Sequence, residues 1–112
     1  MRHAAIAEAL ASLGAVRVLG VASVGSLTAT LPPGSVCVPD DYFNLWGITS
    51  GLADERAHIA PCYDAAVRSL VLKAVEGAGR QPLPGVYVQT RGPRFETKAE
   101  VRFLTTLGQV RR

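Results

Sequence analysis

The residues best suited to bind a ligand lie in the run GPRFET, residues 92–97, which follows a short apolar segment. Gly92 and Pro93 predict a sharp turn there, and Phe95 and Glu96 would lie in that turn at the end of a strand. In open α/β sheets, ligands bind outside the carboxyl ends of the strands. The run therefore predicts a binding site that uses an aromatic side chain and a carboxylate. The residues alone leave an alternative open, in which Glu96 is a first-turn acid that stabilises a helix N-terminus.

A second candidate is the loop of small residues at 23–27, SVGSL, which begins with Ser23, Val24 and Gly25. Glycine lets the backbone approach a ligand closely, and loop N–H groups can bind an anion. An ordinary turn explains the same residues, and the loop by itself favours that simpler interpretation.

The remaining residues that could do chemistry give weaker patterns. His58 lies in residues 42–60, a segment without sustained periodicity that is long for a simple loop. A lone histidine in such a segment is more often a surface residue than a ligand-binding one. Cys37 and Cys62 lack the spacing of a metal site, and neither is expected to be a nucleophile. Because Cys37 lies in an apolar strand, we expect it to be a small core residue.

The elements that must position these residues follow an α-β-β-α-β-α order. Thr97 and Glu100 have the spacing of a capping box, so the last helix should begin at or just after Thr97. Residues 16–22 form an apolar run without alternation, which predicts a strand buried on both faces. The predicted elements are helices at about 3–13, 64–78 and 99–107, and strands at 16–22, 35–38 and 85–90. This order is typical of one α/β domain.

Composition excludes several classes of protein. The 112 residues are 48% hydrophobic, so a disordered chain is not expected. There is no apolar run of about 20 residues, the length of a membrane span, and no signal-peptide pattern, so we expect a cytoplasmic protein without membrane contact. Half of the twelve basic residues lie within the last 22 positions, but the net charge is only +3. An anionic small substrate or a solvated helix face explains this distribution, and a nucleic-acid partner is not favoured.

Together, the GPRFET and SVGSL motifs resemble those of the trimeric purine nucleoside phosphorylase and methylthioadenosine phosphorylase family. The resemblance runs nearly end to end through the chain, but it covers only the middle of the family's usual length. It implies that residues 1–112 form a single partial phosphorylase-like domain. The expected architecture is the central part of a phosphorylase/hydrolase-like fold, with a mixed sheet flanked by helices.

The resemblance also implies a reaction and site residues. In this family, inorganic phosphate attacks the anomeric carbon of a purine nucleoside while the purine leaves. The backbone N–H of Ser23 would bind phosphate, and Val24 and Gly25 would line the base and sugar. Phe95 would pack against the purine, and Glu96 would accept hydrogen bonds from N1–H and the 2-amino group of a 6-oxopurine. Branches acting on methylthioadenosine tend to have a small hydroxyl residue at that position, so Glu96 favours 6-oxopurine nucleosides.

The resemblance further implies a homotrimer in which His58 reaches the 5′ end of a neighbouring subunit's ribose. Phosphate would be a co-substrate, and no cofactor, metal or catalytic residue is assigned. The family's partner for purine N7 would lie outside these residues, which makes an inactive, truncated remnant the alternative. A third hypothesis is an anion-binding α/β module that uses the 23–26 loop with Arg91 and Arg94.

Overall fold

The computed structural model describes residues 3–47 and 55–108, in which helices alternate with short parallel strands. In chain order the elements are α1 (His3–Ser12), β1 (Val36–Cys37), β2 (Asp41–Asn44), a 3₁₀-helix (Glu55–Ala57), α2 (Ala65–Gly77), β3 (Pro82–Leu83), β4 (Val86–Gln89) and α3 (Lys98–Gly108). This confirms the mixed α/β class and the three predicted helices. Most of the unpatterned segment after residue 47 lies outside the described residues.

Two parallel ladders, each a two-stranded sheet, follow one another along the same two chain segments. β1 pairs with β3 and β2 pairs with β4, and the backbone N–H of Val38 donates to Leu83 O between the two ladders at 2.9 Å. Between the ladders, three residues (38–40) face only two (84–85). The first strand therefore carries one extra residue, as in a β-bulge. β2 and β3 lie in residues for which the sequence predicted no strand, so both were missed.

Side chains from α2 attach this helix to the paired strands. The guanidinium of Arg68 donates from Nε to Pro39 O at 2.9 Å and from Nη2 to Val38 O at 3.2 Å. At the start of α2, Asp64 is the N-cap, and its carboxylate accepts a 2.8 Å hydrogen bond from the Val67 N–H. Arg68 thus holds the helix against the strands, and Asp64 caps the helix's own first turn.

An aromatic cluster joins the same helix start to β2 and β4. Tyr42 and Tyr87 are directly opposite in the parallel register, and the ring of Tyr63 meets that of Tyr42 edge-on at 5.7 Å. This geometry is a favourable one for aromatic pairs. Burial, followed by the neighbouring tyrosines, raises the pKa of Tyr63 above its usual value. The cluster places the residues that precede α2 against the middle of the strand pair.

The predicted strand at residues 16–22 is absent, and this expectation was wrong. The segment has no regular secondary structure, and its valines are solvent-exposed: Val16 is 94% and Val21 90% exposed. Between residues 16 and 30, no N–H donates to the backbone of another described residue. A strand is stabilised by ladder hydrogen bonds and by covered faces, and the described chain gives this segment neither.

The described residues cover little apolar surface. Val38 and Leu104 are their only buried hydrophobic residues. The accessible surface is 9447 Å² for a mass of 11.8 kDa, whereas a folded monomer of that mass exposes about 5,900 Å². Cys37 is also exposed, so its assignment to the core was wrong. Within the described ranges no helix combines the length and apolarity that crossing a bilayer would require.

Candidate functional site

The turn that follows β4 is held by hydrogen bonds at the start of α3. The Glu100 carboxylate accepts the Thr97 N–H at 2.6 Å, and the Thr97 hydroxyl accepts the Glu100 N–H at 3.2 Å. This reciprocal arrangement confirms the capping box predicted from the spacing of the two residues. It fixes where the chain leaves the turn, directly after the candidate residues Phe95 and Glu96.

Arg94 adds an ion pair that the sequence interpretation missed. Its guanidinium binds Glu100 through both nitrogens, at 2.8 Å and 2.7 Å, and also donates to Phe95 O at 2.9 Å. The hydrogen bond from Arg94, followed by that from the Thr97 N–H, lowers the pKa of Glu100 from 4.5 to about 2. Glu100 is therefore ionised at neutral pH. A guanidinium six positions before a capping-box glutamate is the only sequence signal for this contact.

The small-residue loop is attached to α3 by one side chain. The Thr105 hydroxyl lies 3.3 Å from Leu27 O at the end of the SVGSL loop and 2.9 Å from Val101 O of its own helix, so its single proton is shared between two acceptors. Within the loop, the Ser26 hydroxyl donates to Thr28 O at 2.7 Å. The N–H groups of Ser23 and Gly25 make no hydrogen bond to the backbone of any other described residue.

These two motifs meet in one cavity, which we call the loop–strand cleft. It has a volume of about 400 Å³ and is lined by the SVGSL loop, β4, the turn and α3. Its lining residues are Ser23, Val24, Gly25, Ser26, Leu27, Tyr87, Val88, Gln89, Thr90, Glu96, Val101 and Leu104. Residues that carry loop N–H groups and a carboxylate thus border the same cleft. Such a site can hold a ligand that carries an anion and an N–H edge.

The polar side chains of β4 are site residues that the sequence interpretation did not single out. The Tyr87 hydroxyl donates to Gln89 Oε1 at 2.9 Å, and Gln89 Nε2 donates to Thr90 O at 2.7 Å. Both residues line the loop–strand cleft, as does Val88 between them. The sequence signal was the spacing of two polar-tipped residues at positions i and i+2, which share a face in a strand.

A second cavity, which we call the turn cleft, lies against the same turn. It has a volume of about 440 Å³ and is lined by Trp46, Arg91, Gly92, Pro93, Arg94, Glu96 and Glu100. Glu96 lines both cavities, so the turn separates them. The two arginines of the anion-module hypothesis face the turn cleft, apart from the loop at residues 23–26.

The other two predicted site residues lie outside both cavity linings. Phe95 is 94% exposed, and His58 is an exposed residue directly after the 3₁₀-helix, where its N–H donates to Glu55 O at 3.0 Å. The described chain therefore brings together Ser23, Val24, Gly25 and Glu96, but not Phe95 or His58. Their suggested roles stay predictions.

Neither cysteine contributes to these cavities. The pKa of the Cys37 thiol is raised, first by partial burial and then by the carboxylate of Asp40, while Arg68 acts in the opposite direction. A raised pKa reduces the thiolate fraction at neutral pH, so Cys37 is a poor nucleophile.

Comparison with known proteins gives a consistent result. A sequence profile described as "Phosphorylase superfamily" matches residues 1–110. A protein of Archaeoglobus fulgidus named "Probable 6-oxopurine nucleoside phosphorylase" is 36% identical over 106 residues, which are 93% of this chain and 44% of the relative. A "Probable S-methyl-5'-thioinosine phosphorylase" of Methanothermobacter thermautotrophicus is 36% identical over 89% of this chain and 36% of its own length. The S-methyl-5'-thioadenosine phosphorylase of Mycolicibacterium smegmatis is 38% identical over 89% of this chain and 39% of its own. The chain thus spans less than half the length of each of these curated relatives.

Proposed function

Because the chain belongs to the phosphorylase superfamily, we propose that it acts in the phosphorolysis of a purine nucleoside, with a 6-oxopurine nucleoside or its 5′-methylthio derivative as substrate. Phosphate would attack the anomeric carbon as the purine leaves, giving a free purine and ribose 1-phosphate or its methylthio form. The observation that carries the proposal is the loop–strand cleft, in which the SVGSL loop and Glu96 lie together.

The residue types that line this cleft suit the two parts of the substrate pair. The N–H of Ser23 would bind phosphate, and the carboxylate of Glu96 would accept hydrogen bonds from the purine edge. Val24 and Gly25 would lie beside the sugar and base. Catalysis in such a site comes from holding the reactants in line and from stabilising charge on the departing base.

The choice between base types follows from hydrogen-bond direction. A carboxylate only accepts hydrogen bonds, and a 6-oxopurine offers N–H donors at N1 and, in guanine, at the 2-amino group. Adenine has an unprotonated N1, which would meet the carboxylate as a second acceptor. Glu96 therefore supports 6-oxopurine substrates over the adenine nucleoside in the name of the Mycolicibacterium relative.

We extend the proposal to a cytoplasmic homotrimer that acts in purine salvage. Support comes from the resemblance of the GPRFET and SVGSL motifs to those of the trimeric family. In such an assembly His58 would act on a neighbouring subunit's ribose, and exposed Phe95 would close on the bound purine.

The test is purine release from inosine, guanosine, methylthioinosine and methylthioadenosine, each with and without phosphate. We expect release that requires phosphate, with the 6-oxopurine nucleosides preferred. Glu96→Gln should lower kcat/KM for these substrates by about 100-fold, because charged hydrogen bonds to the base are lost. Glu76→Gln on exposed α2 is the matched control and should leave kcat/KM unchanged.

Two results would refute the proposal. Folded protein that releases no purine from any substrate would favour the inactive remnant, and the family would then describe only ancestry and fold. Equal loss of activity in both glutamate variants would remove the base-binding role of Glu96.

A further inference from the structure

The turn at residues 94–97 is closed by more contacts than helix capping requires. The capping box uses Thr97 and Glu100 alone. Arg94 adds a two-nitrogen ion pair with Glu100 and a third hydrogen bond to Phe95 O. Arg94 and Thr97 therefore bind the same carboxylate, that of Glu100. We call the closed arrangement of Arg94, Thr97 and Glu100 the turn clamp.

The contribution of the clamp to overall stability should be small. The side chain of Arg94 is 64% exposed and that of Glu100 is 37% exposed, and exposed ion pairs add little to the free energy of unfolding. Its geometric effect is more specific. A guanidinium that binds a carboxylate through two parallel hydrogen bonds fixes both distance and plane, which a single ammonium cannot do.

The clamp encloses only two residues, Phe95 and Glu96. The bond from Arg94 to Phe95 O fixes the peptide group directly before Glu96. Glu96 in turn lines both the loop–strand cleft and the turn cleft, so a small rotation of this peptide would move its carboxylate from one cavity toward the other. A binding residue at such a boundary needs a fixed backbone, because a displaced carboxylate loses its charge-assisted hydrogen bonds to the base.

We propose that Arg94 and Glu100 are positioning residues, which hold the turn so that the carboxylate of Glu96 faces the base in the loop–strand cleft. The inference rests on the proposed function, since it concerns the geometry of the same base-binding residue. Neither clamp residue touches the substrate. Substrates whose base lacks the N–H edge that Glu96 reads would gain nothing from the clamp.

The experiment compares Arg94→Ala, Arg94→Lys and Glu100→Gln with the control Arg102→Ala, which removes a cation from α3 outside the clamp. Glutamine at residue 100 keeps a capping-box acceptor but loses the ion pair. We expect KM for inosine to rise about tenfold in Arg94→Ala and Glu100→Gln, with kcat changed less than about twofold. Arg94→Lys should resemble Arg94→Ala, because an ammonium cannot form the fork.

The double variant distinguishes positioning from direct substrate contact. If both residues act through one clamp, then Arg94→Ala with Glu100→Gln should be no worse than either single change. Multiplying losses in the double variant, or full activity in Arg94→Lys, would mean that Arg94 attracts the substrate by its charge and would overturn the inference. An unchanged KM in Arg94→Ala would overturn it as well.

A measurement without substrate separates this inference from the proposed function. Backbone ¹⁵N order parameters of residues 95–97 should be near the rigid value of about 0.85 and fall below about 0.6 in Arg94→Ala. Unchanged order parameters would refute the clamp even in an active enzyme. Conversely, a loss of order in protein that turns over no nucleoside would support the clamp and refute only the phosphorylase proposal.

Discussion

Removing the guanidinium of Arg68 should loosen α2 from the paired strands. Arg68 donates to Pro39 O at 2.9 Å and to Val38 O at 3.2 Å, across 29 and 30 positions of sequence. A hydrogen bond from a charged group contributes about 1.5–3 kcal/mol. Because Arg68 is only half-buried, water can replace part of what is lost. We therefore expect Arg68→Met, which retains the apolar stem, to lower the free energy of unfolding by about 2 kcal/mol.

The assay is urea unfolding followed by circular dichroism at 222 nm. Lys73→Met on the exposed surface of α2 is the matched control and should change the free energy of unfolding by less than about 0.5 kcal/mol. Arg68→Lys keeps one donor and should fall between the two. If the urea unfolding curves of Arg68→Met and Lys73→Met have the same midpoint and slope, the hydrogen bonds from Arg68 to Val38 O and Pro39 O contribute nothing, and the reasoning is wrong.

Three further results are expected. Asp64→Ala should lower the free energy of unfolding by about 1 kcal/mol in thermal melts, because the Val67 N–H loses its partner. Asp64→Asn keeps an acceptor and should be nearly neutral. Equal losses in the two variants would contradict the capping role. Gly85→Ala places a Cβ 3.1 Å from Cys37 Sγ and should lower the melting temperature. Adding Cys37→Ala to the same chain should restore it. A double variant that melts no higher than Gly85→Ala alone would show that this contact does not matter. Since the pKa of Glu100 is depressed, the stability that its carboxylate adds to the fold is fully present above pH 4.5 and is lost as the pH falls toward about 2. The melting temperature should therefore shift less across this range in Glu100→Gln than in the unchanged protein. An identical shift in both would refute the linkage.

The helices and the exit from the turn were predictable because their signals are local. Gly14, at a φ of 75°, follows the end of α1, and Gly79, at 72°, follows α2, as expected where a helix stops in the left-handed region. Thr97 and Glu100 bond as their spacing required. In each case the deciding contacts span only a few residues, so the sequence pattern contains them.

The failures concern partners distant in the chain. Residues 16–22 have the composition of a buried strand, but composition does not supply the neighbouring strand that a ladder needs. Val36 pairs with Pro82 and Asp41 with Val86, and nothing in either local pattern indicates that register. The convergence of Ser23 with Glu96 in one cleft has the same origin, since the two residues are more than 70 positions apart in the sequence. The two motifs were recognisable separately, but their meeting was not.

The unequal strand lengths between the two ladders make the chain sensitive to changes in length, not only in residue type. Alternate side chains of a strand point to opposite faces, so one surplus residue reverses the phase of everything after it. Deleting Pro39 would leave two residues on each side, so that Asp41–Asn44 could keep their register with Val86–Gln89 without the bulge. Deleting one residue at 84–85 would instead leave three residues facing one, and would put Asp41–Asn44 out of phase with Val86–Gln89, whose far end lines the loop–strand cleft. Among related sequences, a gap of one residue at 84–85 should therefore be matched by a gap at 38–40. A deletion or insertion that makes the two segments more unequal should be more disruptive than most substitutions.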